Sequence, residues 1–497
     1  MTRLRSFPWL ALLLCIGIAG CGSPDDGGAK PAAVPSGPAP IDLQTPLLPT
    51  LVVEGEPLPP AEERTLERQM AEQVVPGVSI AVIQDGAIVW AGGFGMADVE
   101  SERPVTADTL FQAASISKPV AAMGALRLVQ DGALDLDEDV NARLTSWQVP
   151  SNELTDPPGG GKRPVTLRGL LSHTAGLTVH GFPGYAREES IPSTVEVLDG
   201  EGNTDPVRVD IPPGSEQRYS GGGYTVVQQL MVDVTDESFP EVMEETVLGP
   251  LGMNDSTYEQ PLPGSLHDRT ATGYRSDGTP VEGLWHVYPE MAAAGLWTTP
   301  TDLARFAMAI QKGAAGLDSP AINAATVREM LTPHLGDSYG LGLSVTNGRF
   351  GHGGSNEGFR CTMTAFRVGG NGAVVMTNSD SGGGLGQQIL MTLFDHYGWP
   401  GMEPTAKVVI DLGTDRLESY AGTYRIEGYG DVVLSVAESG DRLRFVLPDG
   451  GDGVLRPVTE TEFFDPEEGQ TVTFTVDESS GAASGFTGPG FEAKKVE

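Results

Sequence analysis

Ser115 and Lys118 are the first pair in this chain whose types and spacing suit chemistry. They stand three apart in Ser115-Ile116-Ser117-Lys118. In a helix that spacing puts both side chains on one face, a turn apart. A serine at the start of a buried helix sits among free N–H donors in a positive field. An amine one turn on can take or share its proton, which makes an activated nucleophile. The bland alternative is that Ser115 only caps the helix. Two more groups follow in chain order, Tyr219-Ser220-Gly221 and His352-Gly353-Gly354. Taken singly, such a tyrosine is more often a core or turn residue and such a histidine a loop residue. His173 and His180 stand seven apart without a Glu-x-x-His or a carboxylate pair nearby. They read as structural, and neither metal nor other cofactor is expected.

The elements that must position these groups are legible in outline. From Val120 to Val129 nearly every residue is apolar, with Pro119 in the first turn and Asp131-Gly132 at the end. That predicts a buried helix starting at Ser115. A helix is expected from about Pro60 to Gln73, then a hairpin of Val78–Ile83 and Ala87–Trp90 around Asp85-Gly86. Gly92, Gly93 and Gly95 are read as closing that strand, at close-approach or bulge positions, since no Gly-Lys-Ser/Thr follows for a phosphate loop. Thr166–Ser172, Thr225–Val234, Phe239–Leu248 (stopped by Gly249-Pro250), Thr301–Ile310 under a threonine cap, and Gln387–Tyr397 read as helices. Tyr339–Val345, Arg360–Arg367 and Ala373–Thr377 read as strands. From about Asp411 short alternating segments follow one another between Gly, Asp and Pro turns, with no helix among them. They predict a small all-β sandwich or barrel at 411–497.

With 497 residues the chain has room for two or three domains. A net charge of −36 argues against nucleic acid and anionic membrane surfaces as electrostatic partners. Arg3 and Arg5 precede an apolar run too short to span a bilayer comfortably, and Ile18-Ala19-Gly20-Cys21 follows. This resembles the lipobox of bacterial lipoproteins. The resemblance implies a signal peptide at 1–21, lipidation of Cys21, export and anchoring in the cell envelope; Gly22 favours an outer membrane. Residues 22–59, rich in Pro, Gly and Ala, read as a tether. With Cys15 in the signal and Cys21 lipidated, Cys361 stands alone, so no disulfide framework is expected.

The three motifs occur in the order Ser-x-x-Lys, Tyr-Ser-Gly, His-Gly-Gly. With them stand SHTAGL at 172–177, PPGSEQRYS at 212–220, LGPLGMNDS at 248–256, AAGLWTTPTDLARF at 293–306 and GHGGSNEGF at 351–359. Together these resemble the penicillin-recognising serine hydrolases. The nearest branch is the class C β-lactamase-like group, with its carboxypeptidases, D-aminopeptidases and esterases. The tail resembles a lipocalin-like β domain. The resemblance implies an α+β hydrolase domain at 60–402, an antiparallel sheet flanked by helices with a helical subdomain beside it. Ser115 would be the nucleophile, Lys118 its proton-sharing neighbour and Tyr219 the acylation base. The N–H groups of Ser115 and Ser355 would form the oxyanion hole, with His352, Gly353, Gly354 and Gly221 on the substrate side. Gly221 stands where the family often has Asn, and the two glycines after it suggest space beside the nucleophile. His352 stands where β-lactamases usually have Lys. The implied enzyme acts on small esters, amides or D-amino-acid peptides. The alternatives are a non-catalytic binding lipoprotein of the same fold, or a true β-lactamase or D-alanyl-D-alanine carboxypeptidase. A small-molecule or peptide substrate and the membrane, reached through the lipid, are the expected partners. Oligomeric state is not legible.

Overall fold

The computed structural model describes residues 39–426, 429–448, 452–466, 470–477, 481–488 and 491–496. The signal peptide, Cys21 and the tether as far as residue 38 lie outside the described residues. The later part of that stretch is not a free tether. Ile41 and Leu47 are buried, and Leu51–Val53 pairs in parallel with Thr405–Lys407. Its few apolar residues are enough to dock it.

The fold is α+β, followed by a β-barrel. A seven-stranded antiparallel sheet runs in the order Arg103–Pro104, Ala87–Asp98, Gly77–Gln84, Gly372–Thr377, Phe359–Phe366, Arg349–Asn356, Ser344–Thr346. Gly77–Gln84 pairs with Gly372–Thr377, so the two ends of the region close one sheet between them. Both strands are mostly apolar and buried along nearly their whole length because both faces are covered. Leu66–Glu72 and Gly382–Tyr397 pack on one face, through Leu66, Met70, Ile389 and Leu393 against Val78, Ile80 and Val375. On the other face lies a larger core that takes in Ser117–Gln130, Gly221–Thr235 and Pro300–Ala314.

Several elements differ from expectation for identifiable reasons. The strand from Ala87 does not stop at Trp90 but runs to Asp98. Its glycines are close-approach positions and do not end it. A Cβ at Gly93 would stand 2.4 Å from the Val105 side chain, and one at Gly95 2.1 Å from Pro76 O. Tyr339–Val345 supplies only the short strand Ser344–Thr346. Gly342 takes φ +88°, and a Cβ there would stand 2.7 Å from Ala122 Cβ. Gly249-Pro250 does not stop its helix. A wider π turn over Glu244–Leu248 leads into Gly249–Leu251, and Gly252 ends it at φ +66°.

The tail is a closed barrel of eight strands, from Gly422–Ile426 to Phe491–Lys495. Contrary to the all-β reading, the short helix Thr414–Glu418 precedes it and buries Leu417. Among the described residues no helix is long and apolar enough to cross a membrane.

Candidate active site

Ser115 lies not in the α-helix but in a 3-10 turn, Ala114–Ile116, which feeds directly into Ser117–Gln130. Ala114 sits at φ +50°, a left-handed conformation that costs a residue with a Cβ about 1–3 kcal/mol. Ser117 clamps this turn. Its hydroxyl donates to Ala114 O at 2.5 Å and accepts from Leu296 N–H at 3.0 Å. The Ala113 N–H donates to Leu296 O at 2.8 Å. From the other side the strand Arg349–Asn356 comes so near that a Cβ at Gly354 would stand 2.2 Å from Ala113 O. Glycine at 354 is what allows the sheet and the nucleophile turn to meet.

Lys118 is buried, at 2% exposure. Its Nζ donates to Ser115 Oγ at 3.1 Å and to Ala293 O at 2.8 Å. Among the described residues no carboxylate pairs with it, and burial alone pushes its pKa down to about 7. The amine therefore spends much of its time uncharged near neutral pH. Tyr219 covers it, with the ring centroid 5.0 Å from Nζ. The Tyr219 hydroxyl shares a hydrogen bond with Ser115, while burial pushes its pKa up to about 12. At neutral pH this phenol keeps its proton.

His173 holds Tyr219 in place. Its ring lies 4.2 Å from the Tyr219 ring, and its Nδ1 accepts the Ser220 N–H at 3.1 Å. Burial, then the nearby Lys118, hold its pKa well below the usual histidine range, so it is neutral and can accept that bond. The structural reading of His173 thus understates it, because the group it supports belongs to the cleft. Gly222 and Gly223, the two glycines after Gly221, are buried and do not open space beside the nucleophile: a Cβ at Gly222 would stand 2.8 Å from the Val207 side chain and one at Gly223 3.6 Å from Ser220 Oγ. Gly221 is buried too, and a Cβ there would stand 2.8 Å from the Phe182 ring and 3.1 Å from His180 O. Phe182 fills the room that a side chain at 221 would need.

His352, Gly353, Gly354 and Ser355 line a cleft of about 430 Å³ together with Ser115 and Tyr219. Pairing with Ser344–Thr346 stops at Gly351, so the edge from His352 to Asn356 is unpaired on that side. Gly353 has only Cys361 O, 3.9 Å away, near where its Cβ would be, so the face of the sheet is open there. His352 Nε2 lies 3.1 Å from the Tyr339 hydroxyl. Burial, then Lys118, push the His352 pKa down to about 4, so it carries no charge near neutrality. Asn356 donates to Gln112 Oε1 at 2.8 Å and to Ala294 O at 3.1 Å, fixing the far end of the edge. The structure thus brings Ser115, Lys118, Tyr219, His352, Gly353, Gly354 and Ser355 together, and leaves Gly221 beneath Phe182. The sequence reading missed Ser117, Tyr339 and the Ala293 carbonyl. Only Ser117 carried a signal, its place inside the Ser-x-x-Lys motif. Among the described residues no group of three or more His, Cys, Asp or Glu is placed to hold a metal ion.

A family model described as Beta-lactamase matches residues 63–395. Protein flp of Staphylococcus aureus (strain N315) is 26% identical over 251 residues, 48% of this chain and 44% of that protein. A D-aminopeptidase of Gluconobacter oxydans (strain 621H) is 31% identical over 180 residues, 36% of this chain and 31% of that protein. The aligned part thus spans less than half the length of these relatives. The octameric penicillin-binding protein homologue from Pyrococcus abyssi shares the fold with a TM-score of 0.60 at 22% identity, over 86% of this chain and 98% of that one. EstCE1, described as a hydrolase with promiscuous acyltransferase activity, does so with a TM-score of 0.53 at 21% identity, over 67% and 97%.

Proposed function

This chain belongs to the beta-lactamase family of serine-hydrolase-type enzymes, and from that premise we propose that it works through an acyl-enzyme on Ser115. The observation that carries the proposal is the buried Lys118 amine, 3.1 Å from Ser115 Oγ and pushed down to about 7. Ser115 Oγ attacks the substrate carbonyl carbon, and the neutral Lys118 takes its proton. Tyr219, protonated at neutral pH, relays a proton through its hydroxyl to the departing alkoxide or amine. Water then enters by the reverse path and releases the acid. The burial of the two groups thus favours Lys118 over Tyr219 as the proton acceptor. The N–H groups of Ser115 and Ser355 are our candidates for the oxyanion hole, where one donor is worth about 3 kcal/mol.

The substrate we propose is a small ester, an amide or a D-amino-acid derivative that lies along the open edge at His352 to Ser355. An uncharged His352 gives no cation to meet a substrate carboxylate. This weighs against efficient β-lactam hydrolysis. We further propose export and anchoring through a lipidated Cys21, a place in the class C-like branch, and a lipocalin-like character for the barrel. Mass spectrometry on protein soaked with an activated aryl ester tests the reading. An acyl adduct mapped to Ser115 supports it. No adduct under any condition would favour a binding protein of the same fold.

A further inference from the structure

His352 lines the cleft beside Ser115, yet both of its ring nitrogens are taken. Nδ1 lies 2.5 Å from Gly353 O, which can only accept, so Nδ1 carries the hydrogen. In a neutral ring the other nitrogen is then an acceptor. Nε2 lies 3.1 Å from the Tyr339 hydroxyl, which therefore donates to it. Burial holds the Tyr339 pKa well above the usual phenol range, so this donor keeps its proton. Among the described residues the hydroxyl makes no other hydrogen bond. Tyr339 is fixed from several sides. Its ring centroid lies 5.1 Å from that of His173. Its carbonyl accepts the His334 N–H at 3.0 Å, and its backbone bridges to Ser344, in the strand paired with that of His352.

The titratable groups around the His352 ring are Lys118, His173, Tyr219 and Tyr339. Among the described residues no carboxylate stands near enough to draw a proton onto the ring. Arg360 also lines the cleft, but its Nη1 is held by Asp380 at 3.0 Å and by Asn356 O at 2.6 Å. We propose that Tyr339 is a positioning residue that sets the charge preference of the cleft. Its hydroxyl fills the one nitrogen of His352 that could take a proton, and so keeps the ring from becoming the cation that a substrate carboxylate would need. A nearby anion ordinarily raises the proton affinity of an imidazole. Here the place for that proton is occupied. This inference rests on the Ser115 acyl-enzyme and narrows its substrates to those uncharged where they meet His352.

Tyr339→Phe removes the hydroxyl and keeps the ring. The test is kcat/KM from pH 5.5 to 8 on two pairs of esters, each pair differing by one carboxylate. Phenyl acetate is set against 3-acetoxybenzoate, which carries it on the leaving group. Phenyl butanoate is set against monophenyl succinate, which carries it on the acyl group. In the unsubstituted protein the anionic-to-neutral ratio should stay flat with pH, because the Lys118 dependence is common to both esters and cancels. In Tyr339→Phe the ratio should rise about tenfold at pH 5.5 for at least one pair, the size of a hydrogen bond to a charged group. It should return to the unsubstituted value by pH 8, as His352 loses its proton. Adding His352→Asn should remove the gain. A ratio unmoved at every pH, a gain that ignores pH, or one that survives His352→Asn would overturn the proposal. Nitrogen-15 NMR of histidine-labelled protein, with His352→Asn to assign the signal, reads the tautomer without turnover and without the Tyr339 variant. A proton on Nδ1 and an accepting Nε2 at pH 7 is expected, and a proton on Nε2 would overturn the proposal. Failure of phenyl acetate to acylate Ser115 would instead count against the acyl-enzyme reading, which the tautomer does not test.

Discussion

The cleft at Ser115 and the cup of the barrel are concavities of similar size, about 430 and 600 Å³, built from opposite materials. The cleft is narrow chemistry. Main-chain atoms, glycines and a buried amine crowd together so closely that single Cβ atoms at Gly221 or Gly354 would collide with neighbours. The cup is side-chain hydrocarbon on a regular alternating frame. The difference teaches where each region tolerates change. The cleft depends on a few atoms held to fractions of an ångström. The cup depends on the sum of many interchangeable apolar contacts.

The comparison breaks first at Ser115. Ser115→Ala should lower turnover by a factor of about 10⁴ or more. Its side chain caps no helix here, so urea unfolding should move by only about 0.5 kcal/mol. Hydrolysis that survives in this variant would put the nucleophile elsewhere. Tyr219→Phe comes next, with acylation slowed about 10²-fold or more while ester binding holds. Stopped-flow acylation rates measure it, and an unchanged rate would leave the proton relay to Lys118 alone.

Gly221→Asn sharpens the contrast between a crowded cleft and an adaptable cup. Phe182 occupies the space, so overpacking should cost about 1–3 kcal/mol in thermal or urea unfolding. The double variant with Phe182→Ala should recover part of that loss. A stable, more active Gly221→Asn would mean that Phe182 moves aside readily. The smallest effect is expected from removing the barrel. A chain ending at residue 410 retains Thr405–Lys407, which pairs with Leu51–Val53, and should acylate a short-chain ester at the rate of the full chain. A folded truncation, checked by circular dichroism, that cannot acylate would show that the barrel completes the cleft.

Much of this was legible in the sequence, and what was not has a common cause. Ser115, Lys118 and Tyr219 could be found because each is a side chain in a short local motif. The barrel could be found because strands such as Val432–Val436 and Val472–Val476 alternate in and out. Asp452–Pro457, Ala483–Gly488 and Phe491–Lys495 escaped notice, being rich in Gly, Pro or charge, and with them went the closure to eight strands. The Ala293 carbonyl that holds Lys118 is main chain and leaves no side-chain signature. Phe182 reaches Gly221 from 39 positions away, a contact set by packing alone. The sequence distance between Ser117 and Leu296 hid their hydrogen bond in the same way. Local chemistry is written in residue types, whereas the supports around it are written in the fold.

The central claim is that burial makes Lys118 the proton acceptor for Ser115, and the pH dependence of acylation tests it most directly. The single-turnover acylation rate on a short-chain aryl ester would be measured from pH 5 to 9. Lys118 must be neutral to accept the proton, so the rate should rise with pH along a limb centred near 7 and then level off. A flat profile over that range, or a rate still climbing toward the ordinary lysine value near 10.4, would contradict the account.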